Sequence, residues 1–121
     1  MIKIEVKSNI MVVTITGDLD HHNAEYIRKK IDHEMLQQSV RGLVFDFSKL
    51  TFMDSSGIGV VMGRYKQVRC QNGETAMVQC PERVRKIFEM SGIFKIMKEF
   101  PDTKTAIRAL SKESMHNAAN Q

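Results

Sequence analysis

The sequence predicts a single α/β domain, a mixed sheet of about five strands covered by about four helices. Three observations predict it. Period-two apolar runs alternate along the chain with stretches of helical apolar spacing. One helical stretch lies between two strand-like runs, which implies a crossover and a parallel pair. With 121 residues and 42% hydrophobic content, the chain can build one core and has no room for a second.

Ile2, Ile4 and Val6 alternate with Lys3, Glu5 and Lys7, and Met11, Val13 and Ile15 repeat the pattern, so two half-buried strands paired as a hairpin are expected. The β-branched run stops at Gly17. Asp18 to Asn23 then supplies turn and cap chemistry before Ala24, Ile27, Ile31 and Met35 take up helical spacing. Leu43 to Phe47 reads as a central strand. A second helix carries Ile58, Val61, Met62, Tyr65 and Val68 on one stripe, with Gly59 and Gly63 placed for close packing, and Asn72-Gly73 ends it. Thr75 to Gln79 is the next strand. Pro81 opens a third helix with Val84, Ile87, Phe88 and Ser91 on one face and Gly92 as its stop. Phe94 to Phe100 contains a further apolar-rich strand, and Pro101-Asp102 introduces a last helix bearing Thr103, Ala106, Ile107 and Leu110. The domain is expected to span residues 1–111, with 112–121 a disordered tail.

No apolar run approaches the roughly 20 residues of a membrane span, and the N-terminal residues alternate where a signal peptide would be continuously apolar. A cytoplasmic protein is expected. Cys70 and Cys80 lack metal-ligand spacing and are read as reduced and unpaired; neither a metal nor another cofactor is called for. The net charge of +4 comes from scattered residues, among them Arg28, Lys29, Lys30, Arg64, Lys66, Arg83, Arg85 and Lys86, with few aromatic residues for stacking on bases. Solvated helix faces explain them better than nucleic-acid binding does.

The segment Phe52 to Val60 carries the chemistry. A strand-like run ends in Asp54, Ser55 and Ser56, all able to satisfy open N–H groups at a helix start, and Gly57 is expected to leave the backbone open to an approaching molecule. A serine hydroxyl there is a good phosphoacceptor, and the positive end of the helix dipole tolerates the phosphate. N-capping is the plainer role for the same serines. A nucleotide-binding protein or hydrolase using the Ser55 loop is the alternative of a different class, against which the Gly-x-Ser-x-Gly elbow lacks its first glycine and no Walker-type loop occurs. His21 and His22 invite a metal or triad reading, but adjacent histidines are expected to project in different directions; loop capping and partner contact suit them better.

Gly17-Asp18-Leu19-Asp20-His21-His22, Phe52 to Gly59 followed by Gly63-Arg64-Tyr65-Lys66, and Met90 to Ile96 occur in this order. In this combination the chain resembles the STAS domain family, and within it the anti-sigma factor antagonists of sporulating bacteria, from the first strand to about Leu110. The resemblance implies a non-enzymatic interaction protein that binds an anti-sigma factor serine kinase, frees a sigma factor, is phosphorylated on the serine after the aspartate, and is reset by a serine phosphatase. That serine is Ser55, with Ser56 secondary. The expected partner-binding residues are Asp18, Asp20, His21, His22, Asp54, Ser55, Ser56, Gly57, Ile58 and Met90; the free chain is expected to be a monomer. Asp18 departs from the Glu more frequent at its position. Met90 enters because it leaves the apolar stripe of its helix and a flexible thioether suits a surface that binds and releases. A stress-response antagonist with a different kinase has the same chemistry and is the alternative.

Overall fold

The computed structural model describes the backbone of residues 1–119 and the side chains of residues 1–111. Strands β1 (Ile2–Lys7) and β2 (Ile10–Ile15) form the expected antiparallel hairpin, in register from Ile2 opposite Ile15 to Lys7 opposite Ile10. Its two-residue turn places Ser8 and Asn9 at φ 54° and 64°, the paired left-handed conformation that matches the twist of a hairpin. The remaining elements are β3 (Gly17–Leu19), α1 (Ala24–Gln37), β4 (Gly42–Asp46), β5 (Leu50–Met53), α2 (Ser55–Cys70), β6 (Glu74–Val78), α3 (Glu82–Ser91), a 3-10 turn at Ile93–Lys95, β7 (Lys98–Phe100) and α4 (Thr103–Ala119). The expected tail at 112–121 falls where side chains, and for 120 and 121 the backbone, lie outside the described residues.

The main sheet has the order β1-β2-β4-β6-β7, with every pair after the first parallel. The crossovers β2–α1–β4, β4–α2–β6 and β6–α3–β7 all step in one direction across the sheet. Because each is right-handed by the usual chirality, α1, α2 and α3 share one face. The core agrees. Met11, Val13, Ile15, Leu43, Phe45 and Met77 of the sheet pack with Ile27 and Ile31 of α1, Val60, Val61 and Val68 of α2, and Val84 and Phe88 of α3. Phe47, fully buried, stacks on Phe45 at 5.6 Å and meets Phe88 edge-on at 5.1 Å. On the opposite face Ile10, Val12, Val44, Ala76 and Val78 lie under Ala106 and Leu110 of α4. β2 is therefore covered on both sides; it is a central strand, where its alternation had suggested a half-buried one.

Three local expectations are corrected. Gly17 to Leu19 is not turn but a short strand, β3, pairing in parallel with β5 as a second, two-stranded sheet. Gly17, at φ 93°, bends the chain from β2 into β3 with a register irregularity after it. The apolar stretch from Phe94 is mostly not strand: the 3-10 turn takes its start and only Lys98–Phe100 joins the sheet. On α2 the buried residues are Gly57, Val60, Val61, Arg64 and Val68, while Ile58, Met62 and Tyr65 are half-buried at the core's margin.

Candidate functional site

β3 and β5 extend past the C-terminal ends of β2 and β4, so the loop after β3 and the head of α2 emerge side by side. Asp54 is the N-cap. Its Oδ1 accepts from the backbone N–H of Ser56 at 2.9 Å and of Gly57 at 3.3 Å, and its Oδ2 accepts from the His21 N–H at 3.1 Å. The His21 Nδ1 stands 3.6 Å from the same Oδ2. Partial desolvation pushes the Asp54 carboxyl up, but the three N–H donors and the His21 ring outweigh it and hold it below its ordinary range. One carboxylate thus caps α2 and pins the loop that precedes α1.

That loop is itself tied down. Asp20 Oδ1 accepts from the N–H groups of His22 and Asn23, Asn23 Oδ1 accepts from the Asp20 N–H at 2.9 Å, and the Asn23 side chain donates to the Asp18 carbonyl at 2.6 Å. The Asp18 carboxylate accepts from the Thr51 hydroxyl of β5 at 2.7 Å. Asp20 forms the turn while Asp18 lies on β3, yet Asp18 is exposed and Asp20 half-exposed, so each also presents charge outward. The His21 and His22 rings do not diverge; their centroids are 4.0 Å apart.

With Asp54 as cap, Ser55 is the first helical residue, exposed, and among the described residues its hydroxyl has no hydrogen-bond partner. Capping is therefore not its role. Ser56 is half-buried. Gly57 serves a different purpose from the open backbone expected of it: a Cβ there would lie 2.5 Å from the Leu19 carbonyl oxygen and 2.8 Å from Met53 Cγ. It is buried and lets α2 close onto β3. Gly59 and Gly63 show no such approach, since a Cβ at either meets nothing within 4 Å. Ile58 is half-buried beside the site, whereas Met90 is 79% exposed on α3, a helix packed against β5. Among the described residues no hydrogen bond joins Met90 to the Ser55 and His21 loops.

Sequence reasoning passed over two features. Phe52, the residue before Met53 on β5, is half exposed and leaves an aromatic surface next to the site. Arg64, grouped with the solvated charges, is only 7% exposed. Its Nε pairs with Asp32 Oδ1 of α1 at 3.1 Å and donates to Gln67 at 2.9 Å, and Asp32 Oδ2 also receives Arg28 at 3.2 Å. Desolvation lowers the Arg64 pKa, Asp32 opposes that, and Arg28 adds to it. The clue was its place between Val61 and Val68 on the helical stripe. Arg85 is likewise no free surface charge, being bound to Glu99 at 2.7 Å. Cys70 and Cys80 are both free, the first exposed and the second buried. Among the described residues no group of His, Cys, Asp and Glu is placed to hold a metal ion, and no helix is long and apolar enough to cross a membrane.

A helix-start serine held beside an acidic loop, on a sheet with this strand order, defines a class that sequence comparison names. The STAS domain model matches residues 1–106, and the chain belongs to the STAS domain family. Within that family it is similar to the anti-sigma F factor antagonist of Paenibacillus polymyxa, 34% identical over 109 residues, 90% of this chain and 93% of the relative. Two solved structures extend the likeness to the fold. The anti-sigma factor antagonist SpoIIAA in its unphosphorylated form is 32% identical with a TM-score of 0.72, covering 90% of this chain and 96% of that one. The Bacillus cell fate determinant SpoIIAA in the phosphorylated form is 33% identical with a TM-score of 0.71, covering 90% and 99%.

Proposed function

We propose that this chain is an anti-sigma factor antagonist that acts by partner switching. Unphosphorylated, it binds an anti-sigma factor serine kinase through the 18–22 loop and the head of α2, and the kinase then releases its sigma factor. The kinase transfers the γ-phosphoryl group of ATP to Ser55 Oγ: a P–O bond to serine forms, the β–γ bridge breaks, ADP leaves, and the hydroxyl proton passes to a base on the kinase. A serine phosphatase hydrolyses the ester to restore the hydroxyl and release inorganic phosphate. The chain is substrate in both reactions and catalyst in neither.

The observation that carries this reading is the exposed Ser55 hydroxyl, which has no hydrogen-bond partner among the described residues because Asp54 does the capping. Its likeness to a protein known in both phosphorylated and unphosphorylated forms supports the same position as a switch. A charge of about −1.5 to −2 added at the first turn of α2 is compatible with the helix dipole, so the modification alters docking more than folding. At a closed interface that charge loses water, and a loss of one or two kcal/mol weakens binding roughly five- to thirty-fold.

Incubation with a candidate anti-sigma kinase and ATP, followed by mass spectrometry, tests the assignment. Phosphate is expected on Ser55, and Ser55→Ala is expected to bind the kinase without being modified. Phosphate on Ser56 in that variant refutes the choice of hydroxyl.

A further inference from the structure

We propose that His21 is the internal counter-charge of a phosphate on Ser55. This rests on the reading of Ser55 as the modified residue and adds a second residue to the switch. A phosphate at that position arrives next to Asp54, whose carboxylate is held ionised, so two anions share the head of α2. The N–H groups of Ser56 and Gly57 already serve Asp54. A group within reach that can carry positive charge is the His21 imidazole, whose Nδ1 lies 3.6 Å from Asp54 Oδ2. Its backbone N–H holds the loop to that same oxygen at 3.1 Å, so the ring can turn from Asp54 toward the phosphate without releasing the loop. Consecutive Cα atoms are about 3.8 Å apart, which keeps Asp54 and a modified Ser55 within one side chain's swing of the ring.

The groups beside the His21 ring are Asp54, the N-cap of α2, and the His22 ring at 4.0 Å; Asp20 is turned to the N–H groups of His22 and Asn23, and Asp18 to Thr51. Asp54 already makes this corner acidic, and a phosphate on Ser55 adds to that negative charge. A protonated imidazole hydrogen-bonded to phosphate favours the dianion and so lowers the second ionisation of the phosphate, which is ordinarily near 6.

Phosphoserine installed at position 55 during translation gives the modified protein without any kinase, and phosphorus NMR across a pH series reads the ionisation of the phosphate. The midpoint is expected to lie lower in the parent than in His21→Gln by about half a pH unit, a solvent-screened form of the shift that a nearby opposite charge produces. His21→Lys, a fixed cation in place of the imidazole, is expected to restore the low midpoint. His22→Gln is expected to match the parent. Coincident midpoints for the parent and His21→Gln overturn the proposal, as does a larger change in His22→Gln or a failure of His21→Lys to restore. A kinase that leaves Ser55 unmodified sinks the functional reading by a separate measurement.

Discussion

Three glycines lie on α2, and replacing each with alanine is expected to give opposite results within one helix. At Gly57 the added Cβ would lie 2.5 Å from the Leu19 carbonyl oxygen, 2.8 Å from Met53 Cγ and 2.9 Å from Leu19 Cγ. Carbon and carbonyl oxygen approach to about 3.3 Å at their closest comfortable contact, so α2 and β3 must part by roughly 0.8 Å. The nearest atom is backbone on a strand hydrogen-bonded to β5 and cannot rotate aside. Overpacking of this kind costs about 1–3 kcal/mol, while alanine over glycine in a helix regains at most about 1. The net expectation for Gly57→Ala is a loss of up to about 2 kcal/mol. Gly59→Ala and Gly63→Ala meet nothing within 4 Å, so each should gain about 0.5–1 kcal/mol. Urea unfolding of the three variants, with an unchanged slope, measures the ordering. Gly57→Ala at or above the parent's stability, or Gly59→Ala and Gly63→Ala below it, refutes the argument that close approach fixes the first glycine and nothing fixes the others.

Asp32→Ala should destabilise by about 2–3 kcal/mol because it strands the buried Arg64, and Arg64→Met should cost less than half as much because it removes the buried charge itself; chemical denaturation gives both values. The Asp54 carboxyl is held below its usual 3.8, so the stability it contributes is complete above that pH and is lost as pH falls through the lower folded value. Thermal unfolding from pH 5 to pH 2 should show a shallower acid limb for Asp54→Asn than for the parent. Desolvation foremost, then Glu99, Glu82 and Glu89 against the opposing Arg85, pushes the Cys80 thiol up to about 12. A thiol alkylating reagent at pH 8 should therefore label Cys70 in the native protein and reach Cys80 only in denaturant, as read by peptide mass.

Much of this fold was legible because its elements are locally consistent. The hairpin, the four helices and the parallel centre follow from period, caps and the Asn72, Pro81 and Gly92 boundaries, all of which are short-range properties. What escaped is what depends on distant partners. Leu19 reads as part of a turn until Met53 is placed beside it. Arg64 reads as a surface charge until Asp32 arrives from another helix, and Gly57 looks like an open approach until Leu19 closes over it. Ser55 was legible as a residue type at a helix start, but not the division of labour with Asp54. Asp, Ser and Ser can each cap a helix; only the fold shows that the aspartate takes the task and leaves the serine free.

The β3–β5 ladder has a thermodynamic consequence for recognition. Loops that meet a partner commonly lose conformational freedom on docking, and that loss is subtracted from the affinity. Here the acidic loop and the head of α2 grow from strands bonded to each other, and Asp54 joins them again beyond the strand ends. Their relative position is settled when the chain folds, so an approaching surface meets a preformed unit. The same rigidity makes a local charge effective. On the proposed reading, a loop free to swing could carry a phosphate away from the interface, whereas Ser55, fixed to the first turn of α2, would present it to the partner.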